Sequence, residues 1–195
     1  TEPGDGSALA AIATRAEARG GTWRLTGAKT WVTSAPVADF FTVIATTGPA
    51  ALSVFLVERG APGLAVGRAI DKAGVRASPT AELFLEDTPA TCMLGASGAG
   101  MGYLKEILAE IRVATAALAL GVARAAYQDA LAYARERRAS GKPIREHQAV
   151  AAHLAEMAVD LEAARRLTYW AAWRSDQKLA NATEASMAKL FASEA

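Results

Sequence analysis

Trp31 and Thr33 stand two apart in the stretch KTWVTSA, and an extended backbone puts both side chains on one face. A flat aromatic beside a hydroxyl suits a planar ligand. Taken alone, a Trp that fills a β core with Thr at its edge accounts for the pair more simply. Arg135, Arg137 and Arg138 cluster ahead of Lys142 in RERRASGKPI. Guanidinium groups bind a pyrophosphate bidentately. The same cations also complement the C-terminal end of a helix dipole. Arg112 lies among Ile111, Val113 and Ala114. A partly buried arginine there needs an anionic partner, either an internal carboxylate or a ligand. His147 and His153 are six apart on a predicted helix and fall on different faces, which disfavours a metal pair. Cys92 is the one cysteine, so no intrachain disulfide and no zinc-type cysteine cluster forms. It reads as a small buried side chain in a connecting loop.

The elements that must position these residues divide the chain in two. Over 195 residues, 52% are apolar, enough for a sizeable core. Lys and Arg number 21 against 20 Asp and Glu, a net charge of +1. That balance argues against a nucleic-acid-coating or acidic-lipid-binding surface. No apolar run reaches the roughly 18 residues of a membrane span. Residues 1–90 read as β, with strands predicted over 22–33, 39–46, 51–58, 63–70 and 81–87, each bounded by turn residues. Residues 99–195 read as α. A first helix carries an apolar face through Leu104, Leu108, Ala119, Val122, Ala126, Ala130 and Tyr133, and Gly141 and Pro143 end it. A second carries Val150, Leu154, Met157, Leu161 and Leu167, and a third starts near Thr183. The Gly- and Ser-rich stretch 91–102 reads as the connector. Its GASGAGMG lacks the strand-to-helix setting of a phosphate loop. The expected fold class is α+β in sequence order: a small antiparallel β-barrel or sandwich over 1–95, then part of an antiparallel α-helical bundle over 96–195.

Taken in order, several pieces resemble the acyl-CoA dehydrogenase family. They are TEPGDGS (1–7), GAKTWVTSA (27–35), FLVERGAPGLAVG (55–67), DKAGVRASPTAELFLEDTPA (71–90), IRVATAALALG (111–121), YARERRASGKPIREHQAV (133–150) and MAKLFASEA (187–195). The resemblance implies a three-part flavoprotein: an N-terminal helical domain, a middle β domain and a C-terminal bundle, binding FAD and usually tetrameric. This sequence is similar to the middle domain and the first part of the bundle. The expectation is therefore a stretch of a longer enzyme, with its opening loop already on the flavin.

The resemblance also implies roles. Thr1, Gly6 and Ser7 fall on the flavin-holding loop, with Ser7 near the thioester end of the substrate as well. Trp31 and Thr33 fall on the strand packed by the flavin ring. Ser78 is similar to a hydroxyl beside the CoA part of the substrate, and Arg112 to an arginine near the substrate. Arg137 and Gln148 resemble residues that reach the FAD of a neighbouring subunit. Two positions depart from the family pattern: Ala8 stands where Asp is common, and Ser140 where an aromatic is common.

The implied reaction removes an α proton from an acyl-CoA thioester and passes the β hydride to the flavin. A minority of the family carry the base just before the residue that Arg112 resembles; here that position is Ile111. Glu110 is rotated from it by about 100°. No catalytic base is expected within these residues. The implied partners are an acyl-CoA, an electron-transfer flavoprotein as acceptor and further copies of the chain, in the cytoplasm, in fatty acid or amino acid degradation. Three other readings keep the fold: a non-catalytic assembly partner of a full-length relative, a flavin oxidase or monooxygenase, and an enzyme of carrier-protein thioesters.

Overall fold

The computed structural model describes residues 1–4, 6–8 and 11–195. Asp5, within the opening loop, lies outside the described residues. The chain divides into two compact units, Thr1–Tyr103 and Leu104–Ala195.

The first unit is built on β1 (Arg15–Arg19), β2 (Thr22–Thr33), β3 (Phe40–Gly48), β4 (Ala51–Glu58), β5 (Leu64–Ala69), β6 (Thr80–Pro89) and β7 (Cys92–Leu94). They form one sheet in the order β5-β6-β2-β1-β3-β4-β7. Every pairing is antiparallel except β1 with β3, which meet in parallel at Arg15 and Thr46. The sheet is curled. β2 and β4 are three strands apart, about 14 Å on a flat sheet, yet the Trp23 and Phe55 rings lie 5.4 Å apart. The core inside the curl holds Leu25, Phe41, Val43, Phe55, Val57, Leu83 and Leu85. These are inward members of alternating strands, as the period of 2 requires. β4 is buried on both faces: Leu52 and Val54 are covered as well as Phe55 and Val57.

The five predicted strands are present with small shifts at their ends, and the sheet adds β1 and β7. β1 reads RAEAR, with charged residues at three of five positions, because only Ala16 faces the core. β7 occupies the stretch predicted as a plain connector. It hydrogen-bonds to β4, and this leaves Cys92 exposed rather than buried, since β7 closes the sheet at an edge.

The second unit is helical: α1 (Gly100–Glu136), which starts within the first unit, α2 (Gln148–Asp176) and α3 (Ala182–Glu194). Glu110 near the start of α1 meets Ser175 at the end of α2, so these two helices are antiparallel. The seam between helices is made of Ala116, Ala164, Ala171, Ala188 and Ala192, with Val113, Leu120 and Leu167 packed against it. The predicted face of α1 is therefore only partly the buried one. Val122 and Tyr133 are exposed, and the small residues sit inside because close helix approach leaves room only for Ala. α1 ends at Glu136, earlier than predicted. Gly141 and Pro143 belong instead to a small hairpin, β8 (Arg138–Ala139) and β9 (Lys142–Pro143). Its two-residue turn has positive φ at both Ser140 (50°) and Gly141 (83°), the type I′ geometry of a tight hairpin. No helix among the described residues is long and apolar enough to cross a membrane.

Gly27 is the tightest point between the strands and the segment before β1. A Cβ there would lie 2.6–2.9 Å from Thr14, at its backbone and side chain. Gly27→Ala is expected to destabilise the protein by about 2–3 kcal/mol. Urea unfolding of the two proteins checks this; a change within error would mean that the Thr14 segment yields freely.

Candidate functional site

β2 carries the central feature of the first unit. Its inward residues are odd-numbered at first, Trp23 and Leu25 toward the hydrophobic core and then Lys29. The pairing with β6 then slips: Lys29 opposes Leu83 while Val32 opposes Ala81, three steps on one strand against two on the other. This is a β-bulge, and one extra residue inverts the alternation. Val32 now packs inward, and Trp31 and Thr33 face out. Trp31 is at φ 58°, an uncommon backbone for a bulky aromatic. The residue is 55% exposed, so it does not fill the core. Trp31 and Thr33 do share a face, through the bulge rather than through uninterrupted alternation.

The bulge is tied down on both sides. Ser34, itself at φ 64°, donates its N–H to Pro79 O at 2.7 Å, and Thr33 is the register partner of Thr80. This brings the loop bearing Ser78 beside the end of β2. Ser78 is half-buried; its carbonyl accepts from Lys72 Nζ at 2.5 Å, and its N–H reaches Val75 O at 3.1 Å. On the other side, Thr30 donates its N–H to Thr1 O at 3.0 Å. Gly6 folds back on Thr1: a Cβ on Gly6 would be 3.2 Å from the Thr1 methyl. Thr1, Gly6 and Ser7 are exposed. Backbone bonds thus tie Thr1 and the loop bearing Ser78 to the end of β2 that carries Trp31 and Thr33, and Gly6 lies against the Thr1 side chain.

Beneath them lies a polar cluster that sequence reasoning missed. Glu2 Oε1 accepts from Lys29 Nζ at 2.6 Å and from Thr14 Oγ1 at 2.5 Å. The backbone N–H groups of Ala13 and Thr14 donate to the same carboxylate at 2.6 and 3.1 Å. The Lys29 and Glu2 side chains are only 11% and 10% exposed. Burial pushes the Glu2 carboxyl up, but the Lys29 ammonium, the Thr14 hydroxyl and the two N–H groups outweigh it and hold the carboxyl down at about 2. Burial pulls the Lys29 ammonium below the ordinary lysine value, with Glu2 opposing. The available signal was parity: Lys29 stands at an inward position of a strand, where a cation requires a partner.

In the second unit Arg112 is half-buried and lines an open groove with Ala182, Thr183, Ser186, Met187 and Leu190. No ion pair to it occurs among the described residues. Glu110 Oε1 accepts from Ser175 Oγ at 2.8 Å, and Asn181 Nδ2 donates to that same Oγ. Arg137 and Gln148 are exposed at the two ends of the hairpin segment joining α1 to α2. Ile144 N–H donates to Arg137 O at 2.8 Å, which fixes the segment's return. Arg138 donates to Gly141 O at 2.6 Å and serves the turn. His147 Nε2 lies 3.1 Å from Ala139 O and pins the same hairpin. Among the described residues, no three His, Cys, Asp or Glu side chains converge on a metal-sized site.

The class so defined is a curled β unit presenting an exposed Trp–Thr platform, followed by a helical unit with a basic hairpin. Residues 1–88 match the family model "Acyl-CoA dehydrogenase, middle domain", and residues 98–195 match "Acyl-CoA dehydrogenase, C-terminal domain". The chain belongs to the acyl-CoA dehydrogenase family. It is 52% identical over 198 residues to benzylmalonyl-CoA dehydrogenase of Aromatoleum aromaticum, covering 100% of this chain and 52% of the relative. The butyryl-CoA dehydrogenase structure from Megasphaera elsdenii superposes with a TM-score of 0.93 at 35% identity, covering 100% of this chain and 52% of that one. A structure of PigA with FAD and proline superposes at 0.94 with 32% identity, covering 100% and 52%. The chain spans about half the length of the curated relatives it matches.

The Glu2 contribution to stability has a defined pH window. Its folded value of about 2 lies below the ordinary 4.5. The stabilisation is therefore complete above about pH 4.5 and is lost as the pH falls toward about 2. The stability difference between wild type and Glu2→Gln is expected to be largest above pH 4.5 and to shrink below it. Denaturant unfolding between about pH 6 and about pH 2.5 measures it. A difference independent of pH would contradict the ion pair.

Proposed function

We propose that this chain is the flavin- and substrate-holding part of an FAD-dependent acyl-CoA dehydrogenase that oxidises the Cα–Cβ bond of an acyl-CoA thioester. The observation that carries the reading is the outward Trp31–Thr33 face at the bulge of β2, backed onto the loop that starts at Thr1. Its residues fit an isoalloxazine ring. Trp31 and Thr33 are both exposed, an aromatic ring suits stacking, and the strand is anchored by backbone bonds on both sides.

Bound FAD would supply the acceptor for the hydride that leaves Cβ. The chain's own residues bind and orient. Thr1, Gly6 and Ser7 contribute the loop that borders the ring, and Ser7 also serves the thioester end. Ser78, with its carbonyl held by Lys72, borders the CoA portion. Arg112 supplies a cation toward the substrate from α1. Arg137 and Gln148 reach the pyrophosphate and adenosine of an FAD held by another copy of the chain, which makes the enzyme a homo-oligomer, with a tetramer as the family pattern. A guanidinium at an exposed hairpin suits that role. Glu110 accepts from Ser175 and is rotated by about 100° from the position that Ile111 occupies, and the base of this reading is a carboxylate outside these 195 residues. An electron-transfer flavoprotein accepts the electrons, and the protein acts in the cytoplasm, in fatty acid or amino acid breakdown.

A carrier-protein or oxidase reading has one supporting observation: the structure of the prolyl acyl carrier protein oxidase AnaB superposes with a TM-score of 0.94 at 34% identity, covering 100% of this chain and 53% of that one. Sequence identity favours the CoA thioester, at 52% against 34%.

The full-length protein is expected to be yellow and to bleach on anaerobic addition of mixed acyl-CoAs. Arg137→Ala is expected to raise the FAD dissociation constant about tenfold, the loss of one charge-assisted contact. Visible absorption spectroscopy and reconstitution titration measure these outcomes. A yellow protein that stays unbleached would favour the carrier-protein or oxidase reading, and a colourless one would sink the flavin reading.

A further inference from the structure

We propose that Glu2, Lys29 and Thr14 form a positioning clamp that fixes the loop starting at Thr1 against the bulged end of β2, so that both present one surface to the flavin. The inference rests on the flavin reading and names residues to which that reading gives no role.

The two segments meet through two adjacent bonds. Thr30 N–H donates to Thr1 O, and one residue along on each side Lys29 Nζ donates to Glu2. Together they leave no freedom for the loop to slide along the strand by a residue. The third member comes from the segment before β1: the Thr14 hydroxyl and the N–H groups of Ala13 and Thr14 all end on the Glu2 carboxylate. Thr14 itself is 1% exposed and lies where Gly27 leaves room for it. Three separate stretches therefore converge on one carboxylate.

The location points to positioning rather than to bulk stability. A buried ion pair often stabilises no better than apolar residues of similar volume, and the role assigned to this one is to specify an arrangement. Here the specified arrangement is the inward position of Lys29, two residues before Trp31. Trp31 holds a left-handed backbone that persists only where its surroundings over-determine it. Lys29 holds the strand on one side of that residue, and the Ser34–Pro79 bond holds it on the other. Releasing Lys29 lets the bulge migrate or close, and the alternation then returns Trp31 to the inner face.

The test uses the full-length protein as wild type, Lys29→Met, Glu2→Gln and, as a surface control, Arg19→Ala. Arg19 makes exposed ion pairs to Glu17 and Asp87, away from the clamp. Two readouts are taken: the FAD dissociation constant on reconstitution of the apoprotein, and hydrogen exchange of the Ala13, Thr14 and Thr30 amides in the apoprotein. Lys29→Met is expected to raise the dissociation constant about tenfold or more and Glu2→Gln about threefold, with far-ultraviolet circular dichroism unchanged. Exchange at the three amides is expected to accelerate about tenfold, and Arg19→Ala to stay within about twofold of wild type on both readouts.

Unchanged FAD affinity in a folded clamp variant would overturn the proposal, whether or not the melting temperature falls, because it would make the cluster structural only. Unchanged amide protection would overturn it as well. Should Lys29→Met fail to fold, Glu2→Gln decides by the same two readouts. Wild type that binds no FAD would refute the flavin reading, and the exchange rates would then judge whether the clamp holds the loop at all.

Discussion

A cation at an inward strand position constrains this fold more than any single apolar contact. Lys29 could not be buried without a carboxylate within hydrogen-bond reach, and Glu2 reaches it only if the opening loop lies across β2. That one carboxylate also ties Glu2 to the segment before β1, since it gathers the N–H groups of Ala13 and Thr14. It also fixes the parity of β2 up to residue 29. Everything the strand presents beyond that point depends on the bulge that follows, which changes the inward residue from odd to even numbering.

The curled sheet makes this local arrangement affordable. Its core is closed by Leu25, Phe55 and Leu83 at 0–1% exposure, and Val32 at the end of β2 packs against it. The same end of the strand carries a strained backbone and exposes a large aromatic at Trp31. Trp31 and Ser34, within four residues of each other, both have positive φ. Strained and exposed positions of this kind gather where a ligand is held. The helical unit follows a different rule. Its seam is alanine with Leu120 and Leu167 packed against it, Val122 and Tyr133 are outward, and its candidate site residues lie on α1, at Arg112, and at the ends of the hairpin segment between α1 and α2.

What was legible in the sequence follows from which forces leave a periodic trace. β2 to β6 were readable because their core-facing residues alternate between turn residues. β1 was not, because one buried alanine among charged residues leaves no pattern. The exposure of Cys92 was missed because β7 is three residues long and pairs only at the sheet edge. The apolar face of α1 was drawn through Val122 and Tyr133 because large residues dominate any hydrophobic period, whereas the helices pack through Ala116 and its neighbours. Of the candidate site, residue types and family resemblance carried the ligand-facing groups. The bulge could not be read from residue types, since nothing in KTWVTSA marks where a ladder slips. The Glu2–Lys29 pair spans 27 residues, and no local pattern joins its members.

The central claim is that the bulge of β2 turns Trp31 outward to lie against the flavin. The most direct measurement is fluorescence of a full-length protein in which Trp23, Trp170 and Trp173 are replaced by Phe, leaving Trp31 as the only tryptophan of these 195 residues. Emission is predicted to be solvent-exposed in the apoprotein and strongly quenched, in proportion to occupancy, as FAD is added. Emission that is blue-shifted before FAD is added, or unchanged once FAD is bound, would contradict the account.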